Sequence, residues 1–452
     1  MRYLLLTLAR SAAVAMILVT PWLYGGTPLW TIELISQCLL IISALACVGW
    51  LVAWRWPRIG WVLPVSLVLL ALGWASALYP RSRFDEMLML LFPIDGNSSL
   101  GAWFQGSVDG ERSIKAMRRL TGLLGMLWIA RDMASNTRWR RAIIWTVIIT
   151  GMSVAIHGLI QKSAGDIFGY WQGVKLPQTV FAGFWYHANA AAMLNLTWPF
   201  AAALCLESFA RKWNQLLRAL LLLALLAILA GNIVNVSKGG HLIMGIQALL
   251  FASLALPAFL RSVTGREQVR KMLFLTLGLL TFAGLGLAFF FGTGQATKRW
   301  EEMTWERFAG GDSRFDSMHF CWSELPHAGW QGYGPGTFEA VFLDVGTTNP
   351  ERVPKHRWRF AHQDTLQTMV EWGWIGGSLW ITLGLGLLAQ SLIRLRKLRH
   401  SEFSSRYTQQ AAIVTSLVGV ALHAQADFPL QILGVQVLVA FLAGLGSQKA
   451  LK

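Results

Sequence analysis

Apolar runs of membrane-spanning length recur along this chain and constrain its fold more than any single motif. A helix that crosses the hydrocarbon core of a bilayer needs ~20 predominantly apolar residues. Runs of that kind occupy roughly 6–24, 30–54, 59–79, 115–134, 141–161, 187–208, 215–233, 239–260, 272–291, 364–392, 408–426 and 429–446. Of the 452 residues, 54% are hydrophobic and only 14% charged, a composition typical of polytopic membrane proteins. The expectation is an all-α integral membrane protein of about 12 transmembrane helices. The segment 115–134 fits least well, since Lys115, Arg118 and Arg119 fall in its first turns.

The net charge of +16 follows from topology. Lys and Arg gather in cytoplasmic loops, and every second loop here is basic. Arg55 and Arg58 follow the second run, Arg138, Arg140 and Arg141 the fourth, Arg211 and Lys212 the sixth, Arg266 and Arg270 the eighth, and Arg394, Arg396 and Lys397 the tenth. All lie on the side of Arg2 and Arg10, which puts both termini in the cytoplasm. No basic stretch has the character of a nucleic-acid module. Arg2 and Arg10 precede an apolar run as in a signal sequence, but no small-residue cleavage site follows, so the run reads as an uncleaved first span. Cys38, Cys47, Cys205 and Cys321 show neither CxxC nor metal-like spacing, which argues against a disulfide framework. In this register three longer loops lie outside, 80–114, 162–186 and 292–363. The chain divides into helices 1–9 (1–291), a large outer loop (292–363) and helices 10–12 (364–452).

The stretch from Arg314 to Gly377 carries the densest chemistry. A polar loop this long is usually functional or disordered, and this one holds too many aromatic residues for a disordered linker. His362 lies just before a helix opened by Asp364, with Gln367 three residues on, a capping-box-like pair. The positive end of that helix dipole opposes a cationic ring, which suits a general base; a structural His at the interface is the other reading. Lys238, in N-V-S-K-G-G-H between two apolar runs, is either functional or a Lys snorkelling from a helix end. Arg314 is either an anion ligand, using the bidentate fork of its guanidinium, or the partner of Asp312 and Asp316. Arg307 lies upstream. Lys355, Arg357 and Arg359 alternate beside His356 and Trp358 and suit lipid headgroups. The run Gly332–Gly336 makes either a backbone nest for an anion or a tight turn. His423 and Asp427, four apart, would share a helix face, with Asp427 orienting His423 as a rival base or the two forming an interhelical pair. His187 and Asn189 open the sixth helix. His319, His327, His356 and His362 lack zinc-ligand spacing, so no metal site is expected.

Four stretches carry a resemblance. They are S-K-G-G at 237–240, R-F-D-S-M-H-F-C-W through P-H-A-G-W-Q-G-Y-G-P-G-T-F at 314–338, A-H-Q-D-T-L-Q-T-M-V-E-W-G-W-I-G-G at 361–377, and H-A-Q-A-D-F-P-L-Q-I at 423–432. The H-A-N at 187–189 is a weaker fifth. In this order they resemble the O-antigen ligase / O-antigen polymerase family of bacterial envelope proteins. The resemblance covers roughly the second half of the chain. It implies a GT-C-like glycosyltransferase of the bacterial inner membrane, with short helices in a large periplasmic loop between helices 9 and 10. Such enzymes move a glycan from an undecaprenyl-diphosphate carrier to an acceptor hydroxyl. The acceptor is a lipid A core sugar, a growing exopolysaccharide or O-antigen chain, or a protein Ser or Thr. No metal or other cofactor is implied. By position, His362 takes the place of the loop histidine proposed as base, and Arg314 and Lys238 those of cations on the diphosphate. The family usually has Arg where Lys238 stands, and Lys lacks the planar fork. Arg307, Lys355, Arg357, His187, Asn189, His423 and Asp427 are the expected substrate-side residues. Membrane lipid and an envelope polysaccharide assembly complex are the further expected partners. The competing class is a membrane transporter or channel for an anion or glycan.

Overall fold

The computed structural model describes residues 3–94, 104–163, 180–263, 313–352, 358–398 and 404–448. The predicted span 272–291 lies outside them, as do Arg307, Lys355, His356 and Arg357. Every other predicted span is occupied by a helix: α1 (Leu4–Trp22), α2 (Leu29–Val52), α3 (Val62–Leu78), α4 (Gly110–Met133), α5 (Thr137–Ser163), α6 (His187–Ala210), α7 (Gln215–Val234), α8 (Lys238–Val263), then α11 (Asp364–Leu398), α12 (Ser405–His423) and α13 (Leu433–Ser447). Between α8 and α11 lie the short helices α9 (Ser313–Ala328) and α10 (Phe338–Thr348). Among the described residues, seven helices are long and apolar enough to cross a membrane: α1, α2, α5, α6, α7, α8 and α11. The protein is thus mostly helical and multi-pass. The 80–114 region departs from an all-α reading. Ser82–Asp85 (β1) and Leu90–Pro93 (β2) pair antiparallel, Ser82 opposite Pro93 and Asp85 opposite Leu90. Asp85 closes this hairpin by accepting from the backbone N–H groups of Met87 and Leu88.

The outward faces explain the hydropathy. Leu216, Leu220 and Leu223 on α7, and Leu242, Ile246 and Leu249 on α8, are exposed at helical spacing, as expected of surfaces that meet lipid rather than water. Inside, α6 is buried along nearly its whole length and packs against α5, α7, α8 and α12. Ala190, Ala191 and Ala201 on it are fully buried and let neighbouring backbones approach closely. Polar side chains join these helices across the core. Gln247 of α8 accepts from the Trp198 indole (3.2 Å) and donates to the Asn195 and Thr415 carbonyls (3.1 Å each). The charged helix α4 is held inside the bundle against α2, α3 and α13. Near its far end Asp132 accepts from Arg10 (2.6 Å) and Arg55 (2.9 Å).

Helix α11 is broken at Gly373, where φ is +63° and ψ is −170°. The glycine-rich loop after α9 fills the break. The Tyr333 and Gly334 N–H groups donate to the Val370 and Glu371 carbonyls (3.1 and 2.8 Å), and the Trp374 and Ile375 N–H groups donate to the Gly329 and Trp330 carbonyls (3.2 Å each). Glu371 also accepts from the Gly336 N–H (2.8 Å). The run 332–336 is therefore committed to α11, and the N–H groups an anion nest would need are in use at Tyr333, Gly334 and Gly336. A β-carbon on Gly332 (φ +79°) would stand 2.3 Å from the Glu371 carbonyl oxygen, and one on Gly373 2.4 Å from the Gly332 nitrogen. Neither position accepts a side chain. A small core of Val108, Phe320, Phe338, Phe342 and Val370 sits over this junction.

Candidate active site

His362 lies two residues before α11, with Gln363 between. The capping differs by one position from the sequence expectation: Gln363, not Asp364, caps the helix with its side-chain oxygen on the Leu366 N–H, and Gln367 reaches back to the Ala361 N–H (3.0 Å). Asp364 instead crosses to the segment after α12 and accepts from the Leu430 N–H (2.8 Å) and the Gln431 amide (3.0 Å). The Asp364 N–H donates to the Ala424 carbonyl (2.9 Å). These bonds lock 361–364 against 424–431. His362 is held at φ +53°, a left-handed conformation uncommon for a non-glycine residue and a form of strain that clusters at functional sites.

This locking sets the pairing. The sequence pattern placed Asp427 on one helix face with His423; the structure corrects that. Helix α12 ends at His423, and Asp427, past the turn, directs its Oδ1 to His362 Nδ1 at 3.1 Å. Asp427 Oδ1 also accepts from the Phe428 N–H (3.0 Å), and Oδ2 from the Tyr186 hydroxyl at 3.5 Å. Arg314, read from the sequence either as an anion ligand or as the partner of Asp312 and Asp316, donates from Nη2 to the same hydroxyl at 2.6 Å; Asp316 is exposed, and Asp312 lies outside the described residues. Four motifs distant in sequence thus form one chain of contacts: Arg314, Tyr186, Asp427, His362. Burial alone would raise the Asp427 carboxyl, but the His362 hydrogen bond and the Arg314 charge outweigh it and hold the group below the usual carboxylate range.

Aromatic rings wall the imidazole. Phe428 and Trp358 stand edge-on to it at 4.6 and 4.7 Å between centroids, and Tyr186 at 6.4 Å. His362 is 7% exposed. Its Nε2 hydrogen-bonds no described residue, yet it is not among the fully buried atoms. With Nδ1–H given to Asp427, Nε2 is the nitrogen left to face a ligand.

His423 is buried at 3% exposure, its Nδ1 without a hydrogen-bond partner. A β-carbon on Gly239 would lie 3.8 Å from its Nε2, so the start of α8 abuts this ring. Lys238, the first residue of α8, is half-buried one residue away, and Ser237 caps the helix through the Gly240 N–H (3.1 Å). His187 opens α6 with its ring 4.8 Å from that of Tyr186; Asn189 is buried, its side-chain oxygen unbonded. Three helices (α6, α8 and α11) therefore begin around one cluster, and helix N-termini favour negative charge. Tyr186 was missed by the sequence reading. The only signal for it was its position just ahead of the H-A-N that opens α6. Arg359 lies over the Phe360 ring at 5.3 Å. Beyond Asp364, an apolar cavity of about 400 Å³ runs between α4, α11, α12 and α13, with Arg119, Thr365 and Gln425 among its lining residues. His362, Arg314 and Lys238 do not line it.

No protein-family model and no curated protein matches the chain. Fold and site define a helical multi-pass membrane protein with a buried His–Asp pair at the N-terminal ends of several of its helices.

Proposed function

We propose that this protein is a membrane glycosyltransferase of the O-antigen ligase or polymerase type. It would move a glycan from an undecaprenyl-diphosphate carrier to an acceptor hydroxyl on the periplasmic face, with configuration inverted. The observation that carries the reading is the contact chain Arg314–Tyr186–Asp427–His362 among converging helix N-termini. It couples a base to a field suited to an anion. The basic ends of α4, α11 and α12 lie at the opposite end of the bundle, which the positive-inside rule assigns to the cytoplasm.

In this mechanism the acceptor O–H loses its proton to His362 Nε2 as its oxygen attacks the anomeric carbon. The bond from that carbon to the carrier phosphate breaks, and the diphosphate leaves with the electron pair. Asp427 holds the imidazole by Nδ1–H and stabilises the imidazolium that forms. Arg314 and Lys238, with the helix dipoles, stabilise the charge on the departing diphosphate. The apolar cavity beside Asp364 offers room near the site for part of a lipid chain.

The test uses membranes with matched amounts of wild-type or His362→Ala protein, supplied with a polyprenyl-diphosphate-linked glycan and an acceptor glycan. Release of polyprenyl diphosphate should fall by roughly 10²–10⁴-fold in the variant. Equal release from both ends the base assignment, and no acceptor-dependent release from wild type ends the transferase reading.

A further inference from the structure

The opposite end of the bundle holds cations that the proposed transfer does not use. On the order of 45 Å separates Asp364 from Arg394 along α11, at 1.5 Å per helical residue. Arg140, in the first turn of α5, is 6% exposed. Its Nε donates to Gln409 of α12 at 3.0 Å, while Nη1 and Nη2 are buried without a hydrogen-bond partner among the described residues. Among the described residues, the positive charges of Arg394 and Arg406 act on it. Arg394 is 8% exposed. Its Nη1 donates to the Leu445 and Gln448 carbonyls (3.0 and 2.9 Å) at the end of α13, and its Nε is also without a partner among the described residues. Arg406 is exposed and forms the rim.

The contrast at the same end of the bundle is instructive. Arg10 and Arg55 are neutralised by Asp132, whereas the buried Arg131 donates to Gln390 and Ser447. Among the described residues, Arg140 and Arg394 donate to amide and carbonyl oxygens, although a buried cation is costly unless an anion completes it. Forked N–H groups left open in one place match the oxygens of a phosphate, and basic pockets between membrane helices on the cytoplasmic side hold lipid phosphates.

We infer that Arg140, Arg394 and Arg406 form a binding site for a phosphate-class anion, separate from the His362 site and reached past Arg406. An anionic phospholipid headgroup and free phosphate present the same chemistry, and the experiment distinguishes them. Purified protein in detergent is titrated with phosphatidylglycerol, with phosphatidylcholine as control, and with inorganic phosphate, and its melting temperature is followed. Wild type should be stabilised by phosphatidylglycerol and not by phosphatidylcholine. Arg140→Gln should bind about tenfold or more weakly while being no less stable than wild type without lipid, since a merely structural Arg140 would show the reverse. Stabilisation by millimolar phosphate that competes with the lipid assigns the site to the free anion. No response to either anion, or a full response in Arg140→Gln, overturns the inference. Should Arg140→Gln not fold, the exposed Arg406→Gln decides, and an unchanged response there overturns it equally. The readout is stability, so the outcome does not depend on transferase activity.

Discussion

At His362 the backbone, the ring and the carboxylate partner each impose a condition that the others satisfy. The left-handed φ turns the ring toward the segment after α12, and Asp427 meets it there. Asp427→Asn should therefore cut transfer by on the order of 10²–10⁴-fold, since an amide cannot fix the same tautomer or stabilise the imidazolium. It should also change acid stability. Because the native Asp427 carboxyl is held below its ordinary value, its ionised form favours the fold, and that contribution is lost as pH falls below about 4 and through the depressed native value. Acid unfolding of Asp427→Asn should show a shallower pH slope there than wild type. Tyr186→Phe keeps the stack on Phe428 (5.5 Å) but removes the hydroxyl between Arg314 and Asp427. It should lower kcat by about 10–100-fold with little change in melting temperature, as expected for one hydrogen bond to a charged group. His362, Arg314 and Asp427 were legible as polar residues out of place at membrane edges. Their partners were not, because the four-residue spacing of His423 and Asp427 implies a shared face only if the helix continues, and α12 stops at His423.

At the scale of elements, run length located the seven described helices long and apolar enough to cross a membrane, because the bilayer sets one length for such helices. The break in α11 was invisible for a different reason. W-G-W-I-G-G reads as a small-residue stretch of a span, and G-Y-G-P-G as a turn or nest; nothing local says that each supplies the other's missing hydrogen bonds. The hairpin at 82–93 was likewise hidden, since its short strands pack on α10 far along the chain. Gly332→Ala tests the junction. With φ +79° and a β-carbon forced to 2.3 Å from the Glu371 carbonyl oxygen, it should destabilise the protein by at least about 2 kcal/mol, seen as a clear fall in the melting temperature of the detergent-solubilised protein.

Across the whole molecule, charge sorts to two ends. At the end that carries Arg10, Asp132, 1% exposed, joins α4 to Arg10 of α1 and Arg55 after α2. Asp132→Ala strands those cations and should cost about 3–5 kcal/mol, measured as lost folded protein in membranes, with Arg138→Ala on the exposed surface as the near-neutral control. This sorting was readable from alternate basic loops, whereas the burial of the cations deep among helices was not, since loop counting cannot tell a solvated Arg from an enclosed one. The exchange of peptide hydrogen bonds at Gly373 has a consequence for traffic. A roof stitched through the main chain of the helix beneath it cannot swing upward without unravelling that helix, so under the proposed transfer a bulky amphiphile would arrive and depart sideways, sliding between helices.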